Sequence, residues 1–438
     1  MESKPFHSVR LDKSKCRGCT NCLKRCPTEA IRVRDGRARI IDERCIDCGV
    51  CIRVCEDHAK YAKTDPLEII HRFPYKIALP ASSLYAQFKG LASTSQVLAG
   101  LLKLGFDEVY EEAQGADIVT RAIRERLHSM EEKYPVISSA CPAITRLIQV
   151  RFPEFIPHIV DIRQPMEVAA MAAKREFAEK RGVPESDIGC FFITSCPAKV
   201  TAIRNPLTHE TSAVDGAISM LEIYGLLAGR MGECVMGGCA DCESVERATA
   251  YGIGWAASGG EVAAVCPERS LAVDGIENVI RVLEEIENNK LPDLVYFEGS
   301  ACPGGCVGGP LTFENSYVAR GAIRALMKGR ERIHPDDQKD TGDLGNLPLH
   351  TDKRITPNSA MRLDEDIAEA MRKMERMEKI VASLPGYDCG SCGSPTCLSF
   401  AEDIVRGYCT QMDCIHLLKE QLRIMAQKMV KLANTKRE

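Results

Sequence analysis

The sequence predicts an α/β domain, with two mostly parallel sheet lobes flanked by helices, between a small N-terminal α+β domain and a small helical C-terminal domain. Short apolar runs alternate with helical patterns from about residue 74 to about 325. Eight cysteines are concentrated in the first 70 residues, and a third cysteine-rich stretch follows a polar segment near the C-terminus. Strand–helix alternation of this kind is typical of a mostly parallel sheet with helices on its faces.

Changes in composition predict the domain boundaries. We expect an N-terminal domain over residues 1–73, a central domain over 74–328, a polar linker over 329–360 and a C-terminal domain over 361–438. The linker is predicted because Pro, Gly and Asp dominate it.

The bulk composition excludes several classes of partner. The chain has 438 residues, which at roughly 150 residues per domain is more than one domain. A net charge of −4 offers no basic surface for nucleic acid. The N-terminus lacks the apolar core of a signal peptide, and no run approaches the roughly 18 apolar residues of a membrane span. We therefore expect a cytoplasmic protein with neither a nucleic-acid nor a membrane partner.

The 22 cysteines point to metal or redox chemistry. Disulfides are rare in reducing compartments, where clustered cysteines more often bind metal. Soft thiolate ligands favour zinc, copper(I) and Fe–S clusters. The spacing of the cysteines decides among these alternatives.

Two N-terminal runs share the spacing C-x2-C-x2-C-x3-C, followed by Pro27 in the first run and by Glu56 in the second. This double run is typical of two-cluster bacterial ferredoxins, in which each run gives three ligands to one cluster and its fourth cysteine to the other. Zinc, which prefers paired cysteine motifs, is the alternative. The predicted ligand sets of two [4Fe-4S] clusters are Cys16, Cys19, Cys22 and Cys55, and Cys45, Cys48, Cys51 and Cys26.

A third cysteine group near the C-terminus has the spacing C-x2-C-x4-C-x16-C. It resembles the small Fe–S domain of corrinoid Fe–S proteins and of some redox sensors, which implies one further [4Fe-4S] cluster. Zinc is again the alternative, and Cys409 is expected to be a structural or spare thiol. The implied ligands are Cys389, Cys392, Cys397 and Cys414.

The helices on either side of this third group carry apolar residues at alternating spacings of three and four. About two and a half heptads are fewer than the ~3–4 that identify a coiled coil. Two alternatives stay open: the helices pack on each other around the cluster, or they form a homodimer or dock a signalling partner. The seam positions are Leu363, Ile367, Ala370, Met374, Met377 and Val381 in the first helix, and Ile415, Leu418, Leu422, Met425, Met429 and Leu432 in the second.

Three separated motifs in the central domain could converge on one site: SSACPA (138–143), TSCPAK (194–199) and EGSACPGGCVGGP (298–310). Each follows an apolar, strand-like run, and ligands of open α/β sheets bind beyond the carboxyl ends of strands. The motifs supply enough thiols for one more cubane. These thiols are Cys141, Cys196, Cys302 and Cys306.

In this order, the three motifs resemble those of the [FeFe]-hydrogenase catalytic domain. The stretches ALPASS (78–83), IRQPME (162–167) and WAASGGEVAAV (255–265) are similar to further stretches of that family. With the flanking cluster domains, the domain order resembles the sensory, group D-like branch. The resemblance implies reversible H2 oxidation and proton reduction, with electrons exchanged with a carrier such as ferredoxin or with a signalling partner.

The resemblance also implies a cofactor, the H-cluster, in which a [4Fe-4S] cubane is bridged to a diiron unit bearing carbonyl, cyanide and azadithiolate ligands. Cys306 would be the bridging thiolate. Lys199 would bind cyanide through a charge-assisted hydrogen bond. Family positions that line the diiron unit correspond to Pro80, Ala81, Pro165 and Trp255.

The sequence departs from the family where protons should move. The family's proton-relay cysteine corresponds to Ala140, which cannot carry a proton, and its acidic relay residues correspond to Ile123 and Arg126. A positioned acid contributes about 10²–10⁴-fold to a rate, so slow turnover and a hydrogen-sensing role are expected. Glu125 and Asp161 are candidates for another route.

Other substitutions and thiols have less defined roles. The methionines that the family places near the diiron unit correspond to Thr194 and Ser300, and Cys190 is expected to be a core residue. A further group of thiols could form a fifth metal site or be buried or redox-active. This group is Cys234, Cys239, Cys242 and Cys266.

Two other functions compete with hydrogenase activity. A hydrogenase-like Fe–S protein of cluster assembly would lack the diiron unit, although the intact pair of four-cysteine runs argues against that class. An electron-relay subunit of a larger complex is the third alternative.

Overall fold

The computed structural model describes residues 6–91, 93–129, 135–236, 247–265, 267–328, 330 and 347–435. The strands are β1 (Val9–Leu11), β2 (Ile31–Arg34), β3 (Arg37–Ile40), β4 (Lys60–Ala62), β5 (Tyr75–Pro80), β6 (Glu108–Val109), β7 (Val136–Ile137), β8 (Ile188–Thr194), β9 (Gly216–Ser219), β10 (Ser270–Asp274) and β11 (Tyr296–Ser300).

Helices occupy much of the remaining described chain. They are α1 (Asn21–Lys24), α2 (Val50–Arg53), α3 (Ser95–Lys103), α4 (Glu112–Ser129), α5 (Pro142–Arg151), α6 (Pro165–Arg181), α7 (Pro197–Arg204), α8 (Met220–Met236), α9 (Ala250–Gly254), α10 (Gly260–Val265), α11 (Ile276–Glu287), α12 (Ser316–Lys328), α13 (Ile367–Ser383), α14 (Cys397–Val405) and α15 (Ile415–Thr435). No helix in the described ranges combines the length and the apolar composition of a membrane span.

The chain divides into two compact units, each composed of several segments. The large unit comprises Met1–Val9, Ile46–Gly49 and Ala62–Pro357. The cluster unit comprises Arg10–Cys45, Val50–Tyr61 and Asn358–Glu438. The cluster unit therefore combines most of the N-terminal cysteine runs with the C-terminal cysteine group.

Two parallel sheets form the framework of the large unit. The first has four strands in the order β6-β5-β8-β9, and the second has three in the order β10-β11-β7. In the first sheet, β5 and β8 pair from Tyr75↔Ile188 to Pro80↔Ile193. Every residue of β8 is buried, as expected for a parallel strand with both faces covered. The predicted α/β architecture with parallel sheets is confirmed.

Close helix packing shapes the region next to the carboxyl ends of these strands. A Cβ atom at Gly115 of α4 would lie 2.3 Å from the carbonyl oxygen of Pro165, the first residue of α6. Only glycine fits this contact, because any side chain would collide with backbone. The contact holds the first turn of α4 against the start of α6.

The described end of the predicted linker packs against the large unit. Leu347 is buried. The Arg163 N–H donates to the Leu349 carbonyl at 2.8 Å, and the Thr351 N–H donates to the Asp161 carbonyl at 3.0 Å. These contacts fix residues 347–352 beside the segment that precedes α6.

The cluster unit has a small core of its own at the C-terminal cysteine group. Helices α13 and α14 contribute Ile380, Phe400 and Ala401 to this core. Most of α15 is exposed, including Leu422 and Met429 of the predicted seam. The exposed apolar side chains of α15 therefore pack against no hydrophobic core of the described chain.

Besides Cys409, five cysteines lie outside the predicted cluster sites. Cys190 is fully buried in β8, as expected of a core residue, and burial raises the pKa of its thiol. The side chains of Cys234, Cys239, Cys242 and Cys266 lie outside the described residues. The prediction of a fifth metal site stays a prediction.

Candidate metal centre

The four cysteines of the central motifs lie at the starts of helical turns or just after a strand. Cys141 and Cys196 are the N-cap residues of α5 and α7, and a proline follows each of them. Cys302 follows β11, and Cys306 begins the short 3-10 helix Cys306–Gly308. Proline is favoured at the first helical position, and helix N-termini stabilise thiolates.

These four thiols lie close enough to influence one another. Burial raises the pKa of Cys196, and the thiols of Cys302, Cys141 and Cys306 raise it further. Burial also raises the pKa of Cys306 to about 12, although the nearby Lys199 ammonium acts in the opposite direction. The three motifs therefore converge on one region of the large unit.

A cavity beside these cysteines contains several of the predicted site residues. The indole N–H of Trp255 is buried and has no hydrogen-bond partner in the described chain. Such an unsatisfied donor suits a ligand that can accept a hydrogen bond. The predicted residues that line the cavity are Ala140, Cys141, Pro165, Lys199, Trp255, Ser300 and Cys306.

Pro80 and Ala81 lie just outside this lining. Pro80 ends β5, and the Ala81 N–H donates to the Ile193 carbonyl at 3.2 Å. The next two residues, Ser82 and Ser83, line the cavity instead.

Lys199 presents a buried cation to the cavity. Its Nζ lies 2.6 Å from Oε1 of Glu112 and 5.0 Å from the centroid of the Phe192 ring. Burial by itself would lower the pKa of Lys199, but the Glu112 carboxylate raises it, with a further contribution from Cys306, so the pKa lies above its ordinary value. Lys199 is therefore an ammonium group, which suits an anionic ligand such as cyanide.

Two buried carboxyl groups, neither of which has a predicted role, also line the cavity. Glu261 contacts the hydroxyl of Ser138 at 2.8 and 2.7 Å and accepts a hydrogen bond from the Tyr296 hydroxyl at 2.6 Å. Burial, with a further contribution from the nearby Glu298, raises the pKa of Glu261 to about 8. Because Glu298 is buried too, its pKa is also raised.

The residues expected from the sequence to replace the family's proton relay lie elsewhere. Glu125 is exposed. Asp161 forms an ion pair with Arg126 at 3.0 Å, and neither acid lines the cavity. Ile123 is buried in α4.

Glu261 lies in the stretch WAASGGEVAAV, and Glu298 lies in EGSACPGGCVGGP. An acidic residue within an apolar or glycine-rich motif was the sequence feature that could have identified these two residues as part of the site.

The first N-terminal cysteine run forms a site in the cluster unit. Burial raises the pKa of Cys22 to about 11; Lys60 acts in the opposite direction, and the thiols of Cys19, Cys55 and Cys16 raise it further. These are the four members of the first predicted ligand set. The second predicted set includes Cys48, which belongs to the large unit, and stays a prediction.

The C-terminal cysteine group forms another site in the cluster unit. One pocket is lined by all four predicted ligands, and Cys409 is not among its lining residues. The backbone N–H of Cys397 donates to the Asp388 carboxylate at 2.6 Å. The pocket-lining cysteines are Cys389, Cys392, Cys397 and Cys414.

Buried ion pairs hold this C-terminal segment against the N-terminal part of the cluster unit. Asp403 accepts hydrogen bonds from Arg32 at 2.7 Å and from Arg34 at 2.8 Å. Glu402 pairs with Arg44; although burial would raise the pKa of Glu402, Arg44 and Arg406 hold it below its ordinary value. No local sequence pattern indicates these contacts, because their partners lie more than 300 residues apart.

Three family models match separate parts of the chain. A model described as "Iron only hydrogenase large subunit, C-terminal domain" matches residues 75–310, which is more than half of the chain. A 4Fe-4S dicluster domain matches residues 8–56, and a model of an Fe–S cluster segment matches residues 384–416.

Curated relatives include hydrogenases and cluster assembly factors. The chain is 23% identical to the NADP-reducing hydrogenase subunit HndD of Solidesulfovibrio fructosivorans, over 45% of this chain but only 40% of that protein. It is 24% identical to the periplasmic [Fe] hydrogenase large subunit of Nitratidesulfovibrio vulgaris, over 75% of this chain and 91% of that protein. A probable cytosolic Fe–S cluster assembly factor of Drosophila erecta is 25% identical over 51% of this chain and 47% of its own length.

Solved structures with a similar fold include an apo form of the [FeFe]-hydrogenase HydA1 from Chlamydomonas reinhardtii. The alignment has a TM-score of 0.49 and 18% sequence identity, and it covers 67% of this chain and 97% of that one.

Proposed function

Because the chain belongs to the iron-only hydrogenase large-subunit family, we propose that it is an [FeFe]-hydrogenase that interconverts H2 with two protons and two electrons at an H-cluster. The observation that carries the proposal is the cavity in which the buried Lys199 ammonium lies beside Cys306 and Cys141. A buried cation next to thiol ligands suits a metal unit with anionic ligands.

The residues of the cavity fit the cofactor that the family carries. Cys141, Cys196, Cys302 and Cys306 would hold the cubane, and Cys306 would also bridge to the diiron unit. Lys199 and the unsatisfied Trp255 N–H would donate hydrogen bonds to its cyanide and carbonyl ligands. When bound, the H-cluster supplies the redox chemistry of H2, while the protein supplies position and electrostatics.

Proton transfer would use the buried acids in place of the missing cysteine. Glu261 has a pKa of about 8, so its carboxyl group can both hold and release a proton near neutral pH. The Ser138 hydroxyl connects Glu261 to the backbone at Ala140, which lines the cavity. The Tyr296 hydroxyl also donates to Glu261, and the buried Glu298 carboxyl lines the same cavity.

Electrons would travel between the cubane and the N-terminal clusters. Gly49 follows the predicted ligand Cys48, and within the large unit it lies against Pro197 and Pro310. Pro197 directly follows Cys196, and Pro310 lies in the loop after Cys306. The two ferredoxin-type clusters and the C-terminal cluster would make three accessory [4Fe-4S] clusters.

We further propose slow turnover and a hydrogen-sensing or redox-signalling role, with electrons passed to a carrier such as ferredoxin or to a signalling partner. The proposal is supported by Ala140, which leaves no thiol at the position of the family's proton relay. A positioned proton carrier contributes about 10²–10⁴-fold to a rate, so its loss at this position is expected to slow turnover.

A second candidate function is cluster assembly or electron relay without the diiron unit. It is favoured by the similarity to the assembly factor of Drosophila erecta over about half of this chain. This candidate predicts intact cubanes and no diiron ligands.

Infrared spectroscopy distinguishes the two candidates. Protein matured with a synthetic diiron cofactor should show carbonyl and cyanide bands and should evolve H2, whereas the same protein without the diiron cofactor should show neither. A matured sample with no such bands, but with all its cubanes intact by iron content and electron paramagnetic resonance, would favour the second candidate.

A further inference from the structure

This inference rests on the proposed function. We infer that Glu112 is a positioning residue that holds the Lys199 ammonium in the cavity and offsets its charge towards the cofactor. Glu112 and Lys199 form a buried ion pair at the wall of the cavity, with 2.6 Å between Oε1 and Nζ. Both residues line the cavity together with Cys306.

The position of Glu112 is fixed by the fold. Glu112 is the first residue of α4, and three residues later Gly115 contacts the carbonyl of Pro165 at the start of α6. Because that contact leaves no room for a side chain at Gly115, the backbone of the first turn of α4 can lie directly against the start of α6. This turn places the Glu112 carboxylate at the cavity, where it pairs with Lys199.

The pair leaves Lys199 able to bind a second anion. An ammonium group has three hydrogen-bond donors, and Glu112 uses one of them. The exposed fraction of both side chains is near one tenth, 9% for Lys199 and 11% for Glu112, so water competes weakly for the others. One donor towards Glu112 fixes the direction in which the remaining donors point.

Glu112 also changes the charge that the cofactor meets. An unpaired buried ammonium would act on a cyanide ligand with its full positive charge, because screening is weak in a low-dielectric site. That charge would draw electron density from the iron and reduce its donation into the carbonyl ligands. With Glu112 opposite, the pair is neutral overall, and the iron keeps more electron density.

Substituting Glu112 tests this role through the infrared bands of the matured protein. Glu112→Gln keeps the size and a hydrogen-bond acceptor but removes the charge, so the carbonyl and cyanide bands should move to higher wavenumber. Glu112→Asp keeps the charge at a greater distance, and the bands should move in the same direction by less. Diiron uptake, measured as iron bound per protein, provides a second readout.

Glu111→Gln is the matched control. It removes the same charge one residue earlier, but Glu111 is bonded to the Tyr85 hydroxyl and to the backbone N–H groups of Arg247 and Ala248 rather than to Lys199. The bands of this variant should keep their wild-type positions.

Each outcome decides between the inference and its premise. Wild-type protein without diiron bands would contradict the proposed function. The inference would be overturned if the bands of Glu112→Gln keep their wild-type positions. If Glu112→Gln does not fold, unshifted bands in Glu112→Asp would overturn it. Two results would support the inference, provided that Glu111→Gln shows neither of them. The first is a shift of the bands in the Glu112 variants, and the second is a loss of diiron uptake in these variants while their cubanes stay intact.

Discussion

The Ser138 hydroxyl lies within 2.8 Å of both carboxylate oxygens of Glu261, and the backbone N–H of Ala140 donates to the same hydroxyl oxygen at 3.1 Å. A buried acid is thus one serine away from the position where the family carries its proton-relay cysteine. Under the proposed function, Glu261 would therefore supply a proton carrier that the first cavity motif lacks.

We expect Glu261→Gln to slow both H2 evolution and H2 oxidation by about 10²–10⁴-fold, the usual contribution of a positioned acid. The infrared bands of the matured variant should remain, because Glu261 does not hold the cofactor. Glu167→Gln is the matched control, since Glu167 is also buried but bonds Ser212 and the backbone of Ala213. Equal rates in the wild type and Glu261→Gln would contradict the relay.

Stability should depend on pH through the same residue. Burial raises the pKa of Glu261 from 4.5 to about 8, so between these values the folded protein holds a proton that the unfolded chain has released. The free energy of unfolding is therefore fully retained below pH 4.5 and falls as the pH rises towards 8, by at most about 1.4 kcal/mol per pH unit.

Urea unfolding of the wild type and Glu261→Gln at pH 5 and pH 8 would measure this effect. The wild type should lose more stability than the variant between the two pH values. Glu298 contributes in the same direction because its pKa is also raised, so the difference between the two proteins is the quantity that reports on Glu261. A wild type that gains stability over this range relative to the variant would contradict the assignment.

The architecture and the cysteine sites followed from local patterns, whereas the acid pair did not. Cys141, Cys196 and Cys306 each lie in a motif with neighbouring Pro, Gly or Ala after a strand. The sequence could not show that Cys196 follows a strand of one sheet while Cys141 and Cys306 follow strands of the other. Glu261 has no spacing that marks it. Its role depends on Ser138 and Tyr296, which are more than 30 residues away in sequence.

The cluster unit illustrates the same limit at longer range. The spacing of each cysteine run predicts its ligand loop, because those contacts are local. Two ion pairs, Arg32–Asp403 and Arg44–Glu402, hold the C-terminal segment against the N-terminal one. Each pair joins charged residues that are far apart in the sequence and that a sequence pattern would place at the surface. A sequence pattern contains no information about which of many charged residues become buried partners.

Restoring a thiol at Ala140 should increase turnover. Ala140 lines the cavity, so Ala140→Cys would place a proton carrier next to the cofactor in addition to Glu261. We expect H2 evolution to rise by at least about tenfold, within the range for a positioned acid. Ala140→Ser is the matched control, because a hydroxyl of similar size is a much weaker acid. An unchanged rate in Ala140→Cys would mean that another step limits turnover.

Electron transfer should depend on the packing of Gly49. Gly49 has φ +73°, and a Cβ atom there would lie 2.3 Å from Cγ of Pro310 and 3.0 Å from Cγ of Pro197. Gly49→Ala should therefore push the ligand loop away from the cubane loops and slow the reduction of the N-terminal clusters by H2. Freeze-quench electron paramagnetic resonance would follow that reduction.

Gly36→Ala controls for backbone strain in this experiment. Gly36 has φ +69°, close to that of Gly49, but a Cβ atom there would have no neighbour within 4 Å. Both substitutions strain the backbone to a similar extent. Equal reduction rates in the two variants would show that the contact of Gly49 with Pro197 and Pro310 does not control electron transfer.

The exposed seam of α15 predicts a homodimer through a second copy of this helix. Leu422, Met425 and Met429 expose 56, 52 and 69% of their surface, at heptad positions that a coiled coil would cover. In a parallel pair, Lys428 would face Ala433 of the other copy, so no like charges would oppose each other across the seam.

Sedimentation equilibrium should give twice the monomer mass for the wild type and the monomer mass for Leu422→Glu with Met429→Glu, because a buried seam cannot hold unpaired charges. Gln427→Glu is the matched control, since Gln427 lies on the face of α15 opposite the seam and is exposed. The contact would have to bury roughly 1,200 Å² or more to be stable. A wild type that stays monomeric at all accessible concentrations, or a dimer that survives both seam substitutions, would exclude α15 as the dimer interface.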